Sequence, residues 1–229
     1  MIPSERVCSN RLLFDLFKPD KLVRLSQWIH PDLPVRILDF GCGNHSPRYF
    51  KTQYPRCRYT GVDRDIFNNT AADMALIDDF RKVDLETWDL EDLPDGSFDL
   101  VVLAHVVEHL HRGRELVRLA ATKVAAGGTI YVAHPHADSV RFPHRKDTLN
   151  FYDDPTHVTV LMDGEVAGLL RALGFVILDH GRTRLARNLA LMPVKVVFSP
   201  WLGGVTGPML WDLYGFEQYV VARHPDSPP

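Results

Sequence analysis

Cysteine is scarce in this chain. The 229 residues hold three, Cys8, Cys42 and Cys57. They are too few and too far apart for a disulfide framework or a zinc-ligand pattern, and that usage predicts reduced thiols in a cytoplasmic protein. Neither sign of charge is in excess: 26 Lys and Arg stand against 29 Asp and Glu, for a formal −3. With no basic tail or stripe, no nucleic-acid partner is expected. No apolar run is long enough to span a bilayer, so no transmembrane segment is expected. The first 21 residues carry charges inside their apolar part, so no secretory signal is expected there. Histidines 105, 109, 111, 134, 136, 144 and 157 crowd the central third. They form no compact ligand motif such as HExxH, so no metal is expected, although Glu108, His109 and His134 draw the eye. No internal repeat or low-complexity segment is present.

What the chain does have is a length and apolar content, 45%, that suit one well-cored α/β domain over residues 1–229. Its organising stretch is VRILDFGCGN, residues 35–44. A short run with Val35, Ile37 and Leu38, about five residues in all, closes on an acid, Asp39, as a buried parallel strand does. Gly41 and Gly43 then permit a sharp turn and a close approach of ligand to backbone. Ser46-Pro47 reads as a helix start, with Ser46 as N-cap. Strand, glycine loop and helix form the opening unit of a nucleotide-binding sheet. The dinucleotide fingerprint GxGxxG would need a third glycine where Ser46 stands, which argues against an NAD(P)-linked oxidoreductase.

Further strands are expected at residues 58–62, 81–84, 98–104 and 129–133, then from about residue 174, and last at 217–223. Asp63 ends the second strand about twenty residues past the glycine loop, where a carboxylate can accept both hydroxyls of a ribose. Residues 9–28 are expected to be helical with a break at Pro19-Asp20. A helix is also expected over 105–119, a long functional loop over 138–161, and an amphipathic helix over 163–173. The connection over about residues 183–216 is long and apolar, with Met192, Phe198, Trp201, Met209, Trp211 and Tyr214. It is open to four roles: a pocket wall, a homodimer contact, a lipid contact or plain packing.

Asp39-Phe40-Gly41-Cys42-Gly43 resembles the first motif of class I S-adenosylmethionine-dependent methyltransferases. Where many members carry one more glycine, this chain has His45. LPDGSFDLVV and VVEHL resemble the middle of that domain, and Asp154-Pro155-Thr156-His157-Val158 resembles a DPTHV stretch of its small-molecule members. The resemblance implies a doubly wound, Rossmann-like, seven-stranded sheet with helices on both faces and the last strand antiparallel. It implies S-adenosylmethionine as cofactor, held by Asp39, Gly41, Cys42, Gly43, Asp63, Arg64, Asp84, Leu85, Ala104 and His105. Asp84 would meet the adenine amino group, with Leu85 beside the base. Asp89-Leu90 is a rival for that pair.

On this reading residues 1–30 are a helical lid or cap. Residues 35–135 form the cofactor-binding half and residues 136–229 the substrate side. The expected reaction is methyl transfer to O or N of a small-molecule or sugar-like acceptor. His157, His134 and His105 are the candidates to take a proton from a hydroxyl. A cofactor-binding regulatory or scaffold protein without transfer activity is the alternative from another class.

Overall fold

The computed structural model describes residues 18–87, 90, 93–198 and 205–225. At its centre is β1, Arg36–Phe40. On one side it pairs in parallel with β2, Arg58–Asp63, and beyond that lies β3, Asp79–Lys82. On the other side it pairs in parallel with β4, Phe98–Ala104, followed by β5, Val124–Pro135. The remaining strands are β6, Val176–Arg182, and β7, Glu217–Arg223. The sheet order is β3-β2-β1-β4-β5-β7-β6, with β7 antiparallel to both its neighbours. The winding reverses between β1 and β4. A crevice at the carboxyl ends of these two strands is where such sheets take their ligands.

Alternation along the strands buries both faces of the sheet. Ile37, Leu100, Val102 and Tyr131 face Leu22 and Leu25 of α1, Asp20–Leu25, and Phe50 of α2, Ser46–Gln53. A one-turn helix, α3, Ala71–Met74, follows β2. Leu38, Val101, Leu103 and Val132 face the opposite way. They meet Leu116 and Val117 of α4, Gly113–Lys123, and Val166 and Leu170 of α5, Glu165–Ala172. Each fully buried side chain of this kind stabilises the fold by roughly 1.5–3 kcal/mol. The 183–216 connection contains α6, Ala186–Phe198, and α7, Gly207–Tyr214.

Several boundaries differ from the sequence expectation. Among the described residues the N-terminal helix is only the six residues of α1, starting after Pro19; residues 9–17 of the expected helix lie outside the described residues. The third strand comes two residues earlier than expected, so Asp84 falls beyond its end. No continuous helix runs over residues 105–119. His105 turns left-handed at φ 55°, Val107–His109 make one tight turn, and α4 begins at Gly113. The reason lies in the Glu108 carbonyl, which accepts the amides of Val158 and Thr159 rather than continuing a helix. Gly113 is required there, because a Cβ would lie 2.2 Å from the Val107 carbonyl oxygen. The Gly127-Gly128 turn is absorbed into β5 as a bulge, with Gly127 at φ 72° and its amide on the His224 carbonyl.

Candidate active site

The loop after β1 has the backbone its glycines suggest. Gly41 sits at φ 70° and donates its amide to the Val62 carbonyl at 2.8 Å, tying the loop to β2. A Cβ on Gly41 would come within 2.3 Å of Val106 Cγ2, and one on Gly43 within 2.8 Å of the Phe67 carbonyl oxygen. Both glycines are thus needed for close packing of the loop as well as for its turn. Asn44 and His45 follow in the left-handed region, at φ 53° and 61°.

Asp39 is a brace beneath this loop. It is 1% exposed, and its Oδ2 accepts from Ser46 Oγ at 2.6 Å and from the Tyr59 hydroxyl at 2.5 Å. Lys21 Nζ donates to the same Ser46 oxygen at 2.7 Å. Burial pushes the Asp39 carboxyl up, and Lys21, Ser46 and Tyr59 pull against it. A buried carboxylate must be satisfied, and that demand corrects the reading of Ser46 as N-cap. Ser46 is the first residue of α2, and its hydroxyl is spent on Asp39; His45 stands at the cap position without a side-chain cap. Oδ1 of Asp39 is buried and has no partner among the described residues.

The segment after β2 folds back over the glycine loop. Asn44 donates its amide to the Phe67 carbonyl, and His45 donates its own to Asn69 Oδ1. Asn69 Nδ2 donates to the Cys42 carbonyl at 3.0 Å. His45 Nδ1 lies 2.7 Å from Asp73 Oδ2, and Asp73 is fully buried. Asn69 and Asp73 were not singled out from the sequence. The hint was an Asn-Thr-x-x-Asp helix start, where Thr70 and Asp73 form a capping box. Cys42 turns its side chain inward, 2.6 Å from where a Gly61 Cβ would be, so only its backbone is open to a ligand.

Asp63 ends β2, half-buried beside the loop. Burial pushes its carboxyl up, while the amides of Asp65, Arg64 and Gly43 draw it down. A carboxylate reached by the glycine-loop amide at the end of β2 suits a pair of vicinal hydroxyls. Arg64 is exposed. Asp84 is exposed in a turn, where its Oδ1 accepts the Glu86 amide at 3.0 Å. Leu85 is not presented to solvent beside Asp84; it is buried in the core with Val62, Leu90 and Val106. Asp89 lies outside the described residues.

Ala104 ends β4, and the next residue, His105, has both ring nitrogens taken. Nδ1 is 3.1 Å from Glu108 Oε1 and Nε2 is 2.7 Å from Glu217 Oε2. Burial disfavours its charge, but the hydrogen bonds to Glu108 and Glu217 outweigh this and push the imidazole up to about 10. His105 is therefore an imidazolium at neutral pH and has no lone pair with which to act as a base. Glu217 was missed from the sequence; an acid opening the otherwise apolar strand EQYVVAR was its signal. Trp211 of α7 packs over His105 at 5.3 Å between ring centroids and stacks on Phe216 at 4.7 Å.

His134 is 1% exposed within β5, its Nδ1 2.9 Å from the Pro135 carbonyl oxygen. Burial pushes its imidazole down, and no open face reaches an acceptor. His157 is different. Its Nδ1 lies 2.7 Å from the Phe151 carbonyl oxygen, which leaves Nε2 with the lone pair, and its ring sits 4.7 Å from that of His109. His144 is far from this group in partnership: it pairs with Asp153 at 2.8 Å on the surface.

The long loop over residues 138–161 and the 183–216 connection are packed on each other. Trp211 Nε1 donates to the Thr148 carbonyl at 2.8 Å, and a Cβ on Gly207 would strike the Asp147 and Thr148 carbonyls. Trp201 lies outside the described residues. Among the described residues no helix is long and apolar enough to cross a membrane.

A seven-stranded sheet of this order, with a glycine loop after β1 and an acid closing β2, defines a class I S-adenosylmethionine-dependent methyltransferase fold. The sequence agrees: a family model described as a methyltransferase domain matches residues 10–180, and the chain belongs to that family. It is 31% identical to ajmaline N-methyltransferase of Rauvolfia serpentina over 113 residues, 46% of this chain and 38% of that enzyme. The chain thus spans well under two thirds of that relative's length. A SAM-dependent methyltransferase structure from Archaeoglobus fulgidus superposes with a TM-score of 0.54 at 22% identity, covering 93% of this chain and 98% of that one. The [4+2]-cyclase SpnF superposes with a TM-score of 0.58 at 18% identity, covering 90% and 80%. At these identities the likeness is one of fold.

Proposed function

We propose that the protein transfers a methyl group from S-adenosylmethionine to O or N of a small-molecule acceptor. The observation that carries this reading is the pairing of the left-handed glycine loop at Gly41 with the Asp63 carboxylate beside it. That arrangement suits a nucleoside whose ribose hydroxyls meet Asp63 and whose amino-acid part follows the backbone of residues 41–45. Bound there, the cofactor supplies an electrophilic methyl on a sulfonium centre. The chain supplies position. Asp39, Ser46 and Tyr59 hold the loop rigid from below, and Asn69 and Asp73 clasp it from above. Trp211 and the loop over 138–161 close the carboxyl end of β4, where they exclude water and orient the acceptor.

An amine acceptor needs orientation and desolvation; a hydroxyl must also lose its proton. His105 is already charged and His134 is enclosed, so that help falls to the group formed by Glu108, His109 and His157. The likeness to ajmaline N-methyltransferase supports a small-molecule acceptor. The test has two stages. S-adenosylhomocysteine should raise the melting temperature and NAD should not. The chain should then convert S-adenosylmethionine to S-adenosylhomocysteine in the presence of a metabolite pool. Stabilisation without turnover across acceptor pools would favour a cofactor-binding protein instead, and stabilisation by NAD alone would reject the reading.

A further inference from the structure

The lack of a compact ligand motif in the sequence is the ground for expecting no metal, and the fold removes that ground. Glu108, His109 and His157 offer one ligand atom each, all within 4.8 Å of one another. The third comes from 48 residues further along the chain, on the DPTHV segment that the Glu108 carbonyl grips through the amides of Val158 and Thr159.

The hydrogen-bond partners set all three groups as ligands. His157 Nδ1 faces the Phe151 carbonyl oxygen at 2.7 Å; a carbonyl only accepts, so Nδ1 carries the hydrogen and Nε2 the lone pair. His109 Nδ1 lies 2.8 Å from Thr156 Oγ1. That hydroxyl gives its own hydrogen to Asp154 Oδ1 at 2.6 Å, so it accepts from His109 and leaves His109 Nε2 free as well. A ring nitrogen donating to a carbonyl or a carboxylate-backed group is the usual support behind a metal-binding histidine. Glu108 is 1% exposed; its Oε1 is engaged by His105, while Oε2 is buried with no partner among the described residues. A polar oxygen so enclosed is costly to leave unsatisfied. Asp154 Oδ2 stands 3.9 Å from His157 Nε2, beyond hydrogen-bond range, and adds negative charge to the same spot.

We infer that Glu108, His109 and His157 bind one divalent transition-metal ion at the carboxyl end of β4. Two imidazoles and a carboxylate are the donor set of zinc or iron(II), not of magnesium or calcium, which favour oxygen throughout. Bonds of about 2.0–2.2 Å in tetrahedral array bring ligand atoms to about 3.3–3.6 Å apart, so the group contracts on binding. Three protein ligands leave a position open. Resting on the proposed methyl transfer, that position would hold the acceptor through an oxygen, which makes a hydroxyl-bearing acceptor the substrate class.

The experiment uses the full chain, stripped with a chelator and dialysed. Zn²⁺ is titrated by calorimetry, and Co²⁺ by its visible absorption. One equivalent is expected, with nitrogen and oxygen coordination. His109→Asn and His157→Asn should each weaken binding at least ten-fold, whereas His144→Ala should leave it unchanged. Glu108→Gln should do the same as the histidine variants; if its circular dichroism shows it unfolded, the two histidine variants decide. No stoichiometric binding by the folded wild type would overturn the site. So would binding that survives both histidine substitutions, which marks an adventitious ion only. Metal binding without methyl transfer leaves the site standing and rejects the proposed reaction; methyl transfer by a chain that binds no metal does the reverse.

Discussion

His105 Nε2 and Glu217 Oε2 lie 2.7 Å apart, although 112 residues separate them in the chain. The pair joins the end of β4 to the start of β7 across β5, and Glu108 completes it from the other ring nitrogen. Thr183 Oγ1 donates to the second Glu217 oxygen at 2.6 Å, bringing in the end of β6. One imidazolium thus fastens the carboxyl end of the sheet.

His105→Ala would leave two enclosed carboxylates without their cation. Breaking a buried ion pair by removing one partner costs roughly 3–5 kcal/mol. Urea denaturation should show a loss of this size with an unchanged slope. A loss below about 1 kcal/mol would mean that the carboxylates find water or each other's proton, and that the fastening is unimportant.

Asp63→Ala removes a charged acceptor without touching the core. A hydrogen bond to a charged group contributes about 1.5–3 kcal/mol, so affinity for S-adenosylhomocysteine should fall about ten- to hundred-fold. Calorimetry on the folded variant reads this directly, and an unchanged dissociation constant would take Asp63 out of the ribose site.

Asp20 opens α1, and burial, then the charges of Glu217 and Asp212, push its carboxyl up to about 6 despite Arg187 and Asn188. In the unfolded chain an aspartate titrates near 3.9. Between those two values the folded protein holds a proton that the unfolded chain has released. Stability from this group is therefore full below about pH 4 and is lost as pH rises to about 6. Two pH units correspond to roughly 3 kcal/mol. Asp20→Asn should be more stable than wild type at pH 7.5, with the difference vanishing near pH 4. Parallel stability profiles for the two proteins would count against the assignment.

Trp211→Ala tests the covering of β4 by α7. The indole is held internally by Thr148, Phe216 and His105, so it is expected to act on the acceptor side and not in a dimer. The expected result is a lower kcat/KM for the acceptor, unchanged cofactor affinity and unchanged mass by light scattering. A fall in mass from dimer to monomer with normal kinetics would assign the segment to an interface instead.

The sequence by itself determined the strand–loop–strand core. Short apolar runs closed by Asp39 and Asp63, with glycines between them, leave few structures open, because the signals are local: periodicity, turn chemistry and the absence of a Cβ. It also supported a seven-stranded sheet and the family to which the chain belongs. Only the tertiary structure decided which polar residues are braces and which are free. Ser46 looks like a cap until Asp39 is found buried beneath it. His105 looks like a base until Glu217 is seen beside it. His157 looks remote from Glu108 and His109 until Val158 and Thr159 pair with the Glu108 carbonyl. In each case the partner is distant in sequence, and a side chain's protonation and hydrogen bonding are set by what surrounds it in space.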